Sequence, residues 1–119
     1  MISYDPLAKI ATERVASITV RCQAQGPMHL SVEADGSSSR DPMRRTMMAR
    51  SSNSTIVYAL YLEGQPFGDG TGGTHRFERD YAATNGMITA TFLVTLVAPA
   101  GQDATSDSYT DRIGLIARY

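Results

Sequence analysis

Hydrophobic and polar residues alternate along much of this chain, with the period typical of β-strands that bury one face. The C-terminal stretch shows it clearly, because Tyr109, Ile113, Leu115, Ala117 and Tyr119 fall on one side and polar residues on the other. The pattern predicts one strand over residues 108–119 with a hydrophobic face. A strand of this kind needs a neighbour, so the functional question is which polypeptide supplies it.

Four further segments alternate and are predicted as strands: residues 15–22, 28–34, 54–63 and 88–96. The first two flank a Gly-Pro turn and are predicted to form a hairpin. Residues 76–81 are predicted as a short polar strand, and residues 43–50 fit either a short strand or an irregular crossing. Short strands, turn-forming residues between them and no helical period predict an all-β sandwich.

The alternation also divides the side chains of each strand between two faces. On residues 28–34 it places His29, Ser31 and Glu33 outward. The predicted inward side chains are Ile18, Val20, Cys22, Met28, Leu30, Val32, Ile56, Tyr58, Leu60, Leu62, Ile88, Ala90, Phe92, Val94 and Leu96.

Composition narrows the class of protein. With 119 residues and 42% hydrophobic residues, the chain suits one domain with a real core. A net charge of -1 gives no electrostatic reason to expect nucleic acid or an anionic membrane as partner. No apolar run approaches the roughly 18 residues of a membrane helix, so no membrane insertion is expected. The N-terminus has no signal-peptide pattern, which leaves a cytosolic protein or a sequence that begins downstream of the true start.

Cys22 is the only cysteine. It is interpreted either as a small buried core residue or as half of a disulfide with a partner outside this chain.

The loop over residues 68–74 is rich in glycine, but no helix is predicted after it and it contains no lysine. It is therefore interpreted as a tight connection between strands rather than a phosphate cradle. Asp69 with Asp80, and a second group of Asp103, Asp107 and Asp111, lack a recognised calcium-ligand spacing and are interpreted as solvated loop carboxylates.

The two histidines, His29 and His75, are interpreted as surface residues, because no further zinc ligands accompany them. There is also no Gly-x-Ser-x-Gly nucleophile elbow, so no enzyme activity and no cofactor are predicted. A local arginine cluster is interpreted as a solvated strand face, with binding of an acidic partner as the alternative; it consists of Arg40, Arg44, Arg45 and Arg50.

Four motifs in this order resemble the spore coat protein U domain family, which includes major pilin subunits of archaic chaperone–usher pili. Together they span Tyr4 to Tyr119. They are Tyr4-Asp5-Pro6-Leu7; Ile18-Thr19-Val20-Arg21-Cys22; Tyr58-Ala59-Leu60-Tyr61 with Phe67-Gly68-Asp69-Gly70-Thr71-Gly72-Gly73-Thr74; and Pro99-Ala100-Gly101-Gln102 with Tyr109-Thr110-Asp111 and Tyr119. Phe67 stands where the family commonly has tryptophan, and Ala59 where it has asparagine.

The resemblance implies an immunoglobulin-like antiparallel β-sandwich that lacks its final strand. In such pilins a periplasmic chaperone, and later the N-terminal segment of the next subunit, fills the gap, and an usher assembles the homopolymer. The residues expected to line this strand-acceptor groove are Ile18, Val20, Leu30, Val32, Phe92, Val94, Ile113, Leu115 and Ala117.

The family usually has an N-terminal donor segment and an earlier cysteine that pairs with the position of Cys22. Both would lie upstream of Met1, so a truncated N-terminus is expected. The resemblance thus implies a secreted protein that passes through the periplasm to a surface fibre serving adhesion or biofilm formation. The alternative is a non-polymerising spore-coat or carbohydrate-binding β-sandwich.

Overall fold

The computed structural model of the protein describes residues 2–35, 45–83 and 85–119. Within these ranges the chain forms strands and no helices. The strands are β1 (Ile2–Tyr4), β2 (Thr12–Gln23), β3 (Met28–Ala34), β4 (Arg45–Ala49), β5 (Thr55–Leu62), β6 (Gln65–Pro66), β7 (Phe77–Tyr81), β8 (Met87–Ala98), β9 (Asp107–Thr110) and β10 (Leu115–Arg118). No helix in the described ranges is long and apolar enough to cross a membrane.

The described strands form two sheets. A seven-stranded sheet has the order β1-β9-β4-β5-β8-β2, with β6 paired to β5, and a three-stranded sheet has the order β10-β3-β7. All pairings between these strands are antiparallel. The prediction of an all-β antiparallel sandwich is therefore confirmed.

The core lies between the two sheets and uses the faces that the alternation assigned. In β5, Ile56, Tyr58, Leu60 and Leu62 are all buried. In β8, Ile88, Ala90, Phe92 and Val94 are buried, and Leu96 packs against them. Because alternate side chains of a strand point to the same face of the sheet, these two strands supply one wall of the core.

The predicted hairpin between residues 15–22 and 28–34 is wrong. β2 pairs with β8 along its whole length, from Thr12 opposite Ala98 to Gln23 opposite Met87. β3 lies in the other sheet, between β10 and β7. The connecting segment crosses between the sheets, and the Ala24 amide donates to the Gly86 carbonyl at 3.0 Å. Twelve residue pairs with β8 outweigh the short local contact that a hairpin would make.

The prediction of one strand over residues 108–119 is also wrong. β9 pairs with β1 and β4 in the large sheet, whereas β10 pairs with β3 in the small sheet. Residues 111–114 cross from the large sheet to the small one. Hydrogen bonds fix both ends of this crossing: the Tyr58 hydroxyl donates to the Asp111 carboxylate, and Asp35 and Gly114 exchange two hydrogen bonds of 2.9 Å. Tyr109 is consequently buried in a different sheet from Leu115.

Glu33 and the strand β10 differ in burial from the prediction. Glu33 points outward yet is 7% exposed, because Arg118 and Arg76 cover its carboxylate at 2.5 and 3.5 Å. β10 buries neither face: Leu115 is 47% and Ile116 is 45% exposed, and no strand of the described chain pairs with its outer edge.

Candidate functional site

An apolar groove of about 330 Å³ opens between the two sheets. Its walls come from strands at the ends of their sheets, β2 in the large sheet and β10 in the small one. The lining residues are Ile2, Arg14, Ala16, Ile18, Leu60, Phe67, Val94, Leu96, Ile113 and Leu115.

One wall of the groove is a row of side chains on the inward face of β2. Arg14, Ala16, Ile18 and Val20 occupy alternate positions and therefore share that face. Ile18 and Val20 are only half-buried, although they face the sandwich interior. Their partial exposure shows that the interior is open on this side.

The other wall is formed by the residues just before β10 and by the first residue of β10. Ile113 and Leu115 flank Gly114, whose backbone is fixed to Asp35 at the end of β3. At the far end of β10, Arg118 pairs with the nearly buried Glu33 carboxylate at 2.5 Å. Both ends of this short strand are thus held against β3.

The floor of the groove rests on an aromatic cluster. The rings of Phe67 and Phe92 meet edge to face with their centroids 6.0 Å apart, and the rings of Phe92 and Phe77 are stacked with their centroids 4.1 Å apart. Such pairs add about 0.5–1.5 kcal/mol to the stability that area burial supplies. Because Phe67 also lines the groove, this aromatic cluster forms part of the base of the groove.

The glycine-rich loop holds Phe67 in place. Gly68 donates to the His75 carbonyl at 2.9 Å, and His75 donates to the Pro66 carbonyl at 2.7 Å. Gly70, Gly72 and Gly73 have φ values of 89°, 60° and 87°, which side-chain-bearing residues rarely adopt. The loop is a tight connection between β6 and β7, as the sequence predicted.

Both walls of the groove end in an unpaired strand edge. Within the described ranges, β2 pairs only with β8 and β10 only with β3. β2 alone offers a twelve-residue edge, which is about 40 Å long at about 3.3 Å per residue. Unpaired backbone groups beside an apolar groove are the features that accept an added strand.

The molecule is less compact than a closed domain of its length. Its Cα radius of gyration is 16.3 Å, with principal extents of 52, 25 and 23 Å. A compact chain of this length is expected at about 13.5 Å. The open groove and the long β2–β8 pair are consistent with this elongation.

The structure brings four of the residues expected at the groove together there: Ile18, Val94, Ile113 and Leu115. Val20 lies on the same face of β2, and Ala117 is exposed on β10. Leu30, Val32 and Phe92 instead lie in the core, with exposures of 0%, 1% and 7%.

Sequence reasoning missed six of the lining residues: Ile2, Arg14, Ala16, Leu60, Phe67 and Leu96. Arg14 and Ala16 were detectable, because extending the alternation of Ile18 and Val20 toward the N-terminus reaches both. Ile2 had no such signal, since β1 has only three residues. Leu60 and Leu96 were assigned to the inward face, but nothing in the period separates groove from core.

Two titratable groups outside the groove have hydrogen-bond partners that shift their pKa values. A hydrogen bond from His29 to Asp80, of 2.8 Å, raises the pKa of the exposed His29 imidazole. Hydrogen bonds from Thr71 lower the pKa of Asp69. Within the described ranges no group of three or more His, Cys, Asp or Glu residues is placed to hold a metal ion.

The arginine cluster is not a single solvated face. Arg45 is fully buried, which corrects the prediction for it, and its guanidinium donates to the Asp35 carbonyl at 2.6 Å. Arg50 is exposed. Arg40 and Arg44 lie outside the described residues.

Cys22 is a free thiol on the inward face of β2 and is 5% exposed. It lies opposite Ile88 in the β2–β8 pair and contributes to the core. The first interpretation of this residue, as a buried core side chain, describes its position in this structure.

Comparison with known proteins supports the resemblance. A family model described as the Spore Coat Protein U domain matches residues 2–115, which confirms the family predicted from the four motifs. No match is found among curated proteins or among solved structures.

Proposed function

The chain belongs to the Spore Coat Protein U domain family, and we propose that it is a structural subunit of a secreted surface fibre assembled by donor-strand complementation. The family occurs in chaperone–usher fimbrial proteins and in spore coat proteins, and it is structural rather than enzymatic. It is a family of extracellular surface and coat domains. Beyond membership of this family, we propose two things for this chain: that it is a fibre subunit, and that subunits join by donating a strand to one another.

One observation carries the proposal: an apolar groove lies between two unpaired strand edges. An extended segment placed there would pair its backbone with an edge and direct alternate side chains into the groove. A small apolar ligand would fill the volume but leave both edges unpaired. The combination of groove and edges therefore favours a polypeptide strand as the occupant.

The exposed apolar side chains give this step a driving force. Ile18 is half-buried on β2, and Leu115 is 47% exposed on β10. Complete burial of such a side chain contributes about 1.5–3 kcal/mol of favourable free energy. Covering the exposed half of each of these two side chains therefore contributes about 1 kcal/mol to the free energy of strand binding. Backbone hydrogen bonds along the edges add to this gain.

Assembly into a fibre follows from the geometry of strand donation. If each subunit donates a segment to the groove of the next, the contact joins two different surfaces and does not close on itself. The partners are then neighbouring copies of the subunit, with a periplasmic chaperone and an usher acting before incorporation. Adhesion or biofilm formation is the role proposed for the finished fibre.

The test is binding of a synthetic peptide with alternating apolar residues. At a concentration about 100 times its Kd, such a ligand stabilises the folded state by about 2.7 kcal/mol. For 119 residues, this corresponds to a rise in melting temperature of about 10 °C. A peptide of the same composition with its apolar residues adjacent rather than alternating is the control.

A pair of variants locates the binding. Ile18→Asp puts a charge on the groove face of β2 and is expected to abolish the stabilisation. Ser17→Asp, at the exposed neighbouring position on the other face, is expected to retain it. The proposal is wrong if the alternating peptide gives no shift up to about 1 mM, or if both variants respond equally.

A further inference from the structure

The groove contains one positive charge in an otherwise apolar lining. Arg14 lies at the end of the β2 row formed with Ala16 and Ile18, and it is paired in the sheet with Leu96. No carboxylate within the described ranges forms an ion pair with it. Its sequence neighbour Glu13 points to the opposite face of the strand.

We infer that Arg14 selects an extended strand that carries a carboxylate side chain opposite it, and so fixes the register of that strand in the groove. The inference rests on the proposed function, because it requires a strand to occupy the groove. It adds the chemistry of the occupant: apolar residues at alternate positions, followed in the same row by one Asp or Glu.

The physical need for such a residue comes from the periodicity of strands. A strand with alternating apolar side chains that slips by two residues still presents an apolar face to the groove. Apolar contacts alone therefore discriminate weakly between registers. A single charged position breaks this degeneracy, because a strand in the wrong register covers Arg14 with an apolar side chain and leaves its charge without a partner.

The position of Arg14 also predicts which end of the bound strand carries the carboxylate. All strand pairings described in the two sheets are antiparallel, and antiparallel ladders are slightly more stable per residue. Arg14 lies near the N-terminal end of β2. An occupant antiparallel to β2 therefore carries its carboxylate near its own C-terminal end.

The experiment compares three capped peptides of the same alternating apolar sequence, with Glu, Gln or Lys at the position that faces Arg14. N-terminal acetylation and C-terminal amidation remove the terminal charges that would confuse the comparison. Affinities are measured by calorimetry at low ionic strength for the wild type and for R14Q, R14E and the control R21E. Arg21 is exposed on the opposite face of the same strand. Circular dichroism verifies that each variant is folded.

For the wild type we expect the Glu peptide to bind about fivefold more tightly than the Gln peptide, and the Lys peptide more weakly than both. R14E reverses the order, R14Q removes the difference, and R21E leaves the wild-type order unchanged. At about 1 M salt the preference shrinks, because the charges are screened.

A second measurement reads the register directly. A spin label at one end of the Glu peptide broadens nearby amide signals of β2. Moving the Glu by two residues along the peptide is expected to move the broadened amides by two residues along β2.

The failures are distinguishable. Equal binding of all three peptides to the wild type, a reversal by R21E as strong as that by R14E, or a broadening pattern that ignores the Glu position overturns the role of Arg14 and leaves the strand-accepting groove intact. Failure of every peptide to bind overturns the proposed function and this inference together.

Discussion

Substitution of Gln102 tests how the chain completes its large sheet where β8 ends. The register that pairs Ala59 with Val97 would place Pro99 opposite Val57 at the next such position. Proline has no amide hydrogen to donate. The Gln102 side chain takes its place: its Oε1 accepts from the Val57 amide at 2.7 Å, and its Nε2 donates to the Val57 carbonyl at 2.7 Å.

The same side chain anchors the loop after β8. Gln102 Nε2 also donates to the Pro99 carbonyl at 3.1 Å. The backbone amide of Gln102 donates to the Tyr4 hydroxyl. That hydroxyl in turn donates to the Pro99 carbonyl at 2.6 Å. Two motifs at opposite ends of the sequence, Tyr4-Asp5-Pro6 and Pro99-Ala100-Gly101-Gln102, thus meet at one point of the fold.

The magnitude of the effect follows from three side-chain hydrogen bonds. At about 1 kcal/mol each, Gln102→Ala is expected to lower the free energy of unfolding by about 2–3 kcal/mol. With an unfolding entropy of about 2.1 cal/mol/K per residue, the melting temperature falls by about 8–12 °C. Gln102→Glu is expected to cost at least as much at neutral pH, because a carboxylate oxygen then faces the Val57 and Pro99 carbonyls. Protonation of the Glu at acidic pH restores part of the loss.

Urea unfolding followed by circular dichroism measures these differences. Gln23→Ala is the matched control, since Gln23 is exposed at the end of β2 and its change is expected to stay within about 0.5 kcal/mol. A loss below about 0.5 kcal/mol for Gln102→Ala would refute the idea that this amide substitutes for the missing strand pair.

Two further predictions concern the crossing into β10 and the outer face of the small sheet. Gly114→Ala places a Cβ against the Asp35 carboxylate and is expected to destabilise the crossing by about 1–3 kcal/mol, with faster amide hydrogen exchange in β10; unchanged exchange there would contradict it. The hydrogen bond to Asp80 raises the pKa of His29 above 6.5, so its contribution to stability is present below about pH 6.5 and is lost as the pH rises through the folded-state pKa. An NMR titration is expected to show a midpoint above 6.5 that Asp80→Asn lowers, and a midpoint that does not respond would exclude this pairing.

Strand faces were predictable from the sequence, whereas strand partners were not. The alternation in β5 and β8 correctly assigned Ile56, Tyr58, Phe92 and Val94 to the interior, because period two is a local property of the backbone. Pairing is a long-range choice, and the short turn after β2 suggested a hairpin that the chain does not form.

The burial of charged residues also could not be predicted from the sequence. Arg45 and Glu33 are buried because of partners distant in the sequence or supplied by the backbone: Arg76 and Arg118 for Glu33, and the Asp35 carbonyl for Arg45. A charge at a strand position predicts exposure unless its partners are known. Only the assembled sheets reveal them.

The existence of the groove depends on the crossing that the sequence pattern concealed. A continuous strand over residues 108–119 would have remained in the large sheet beside β4, and the small sheet would have consisted of β3 and β7 alone. Because residues 111–114 change sheets, β10 lies on β3 and faces the interior opposite β2. The β10 rim of the groove therefore results from one local event, in which Gly114 and Asp35 exchange backbone and side-chain hydrogen bonds, whereas the β2 rim results from the pairing of β2 with β8. The alternating row of Ile113, Leu115 and Ala117 identified an apolar strand in need of a neighbour, but the sheet change determines where that neighbour would bind.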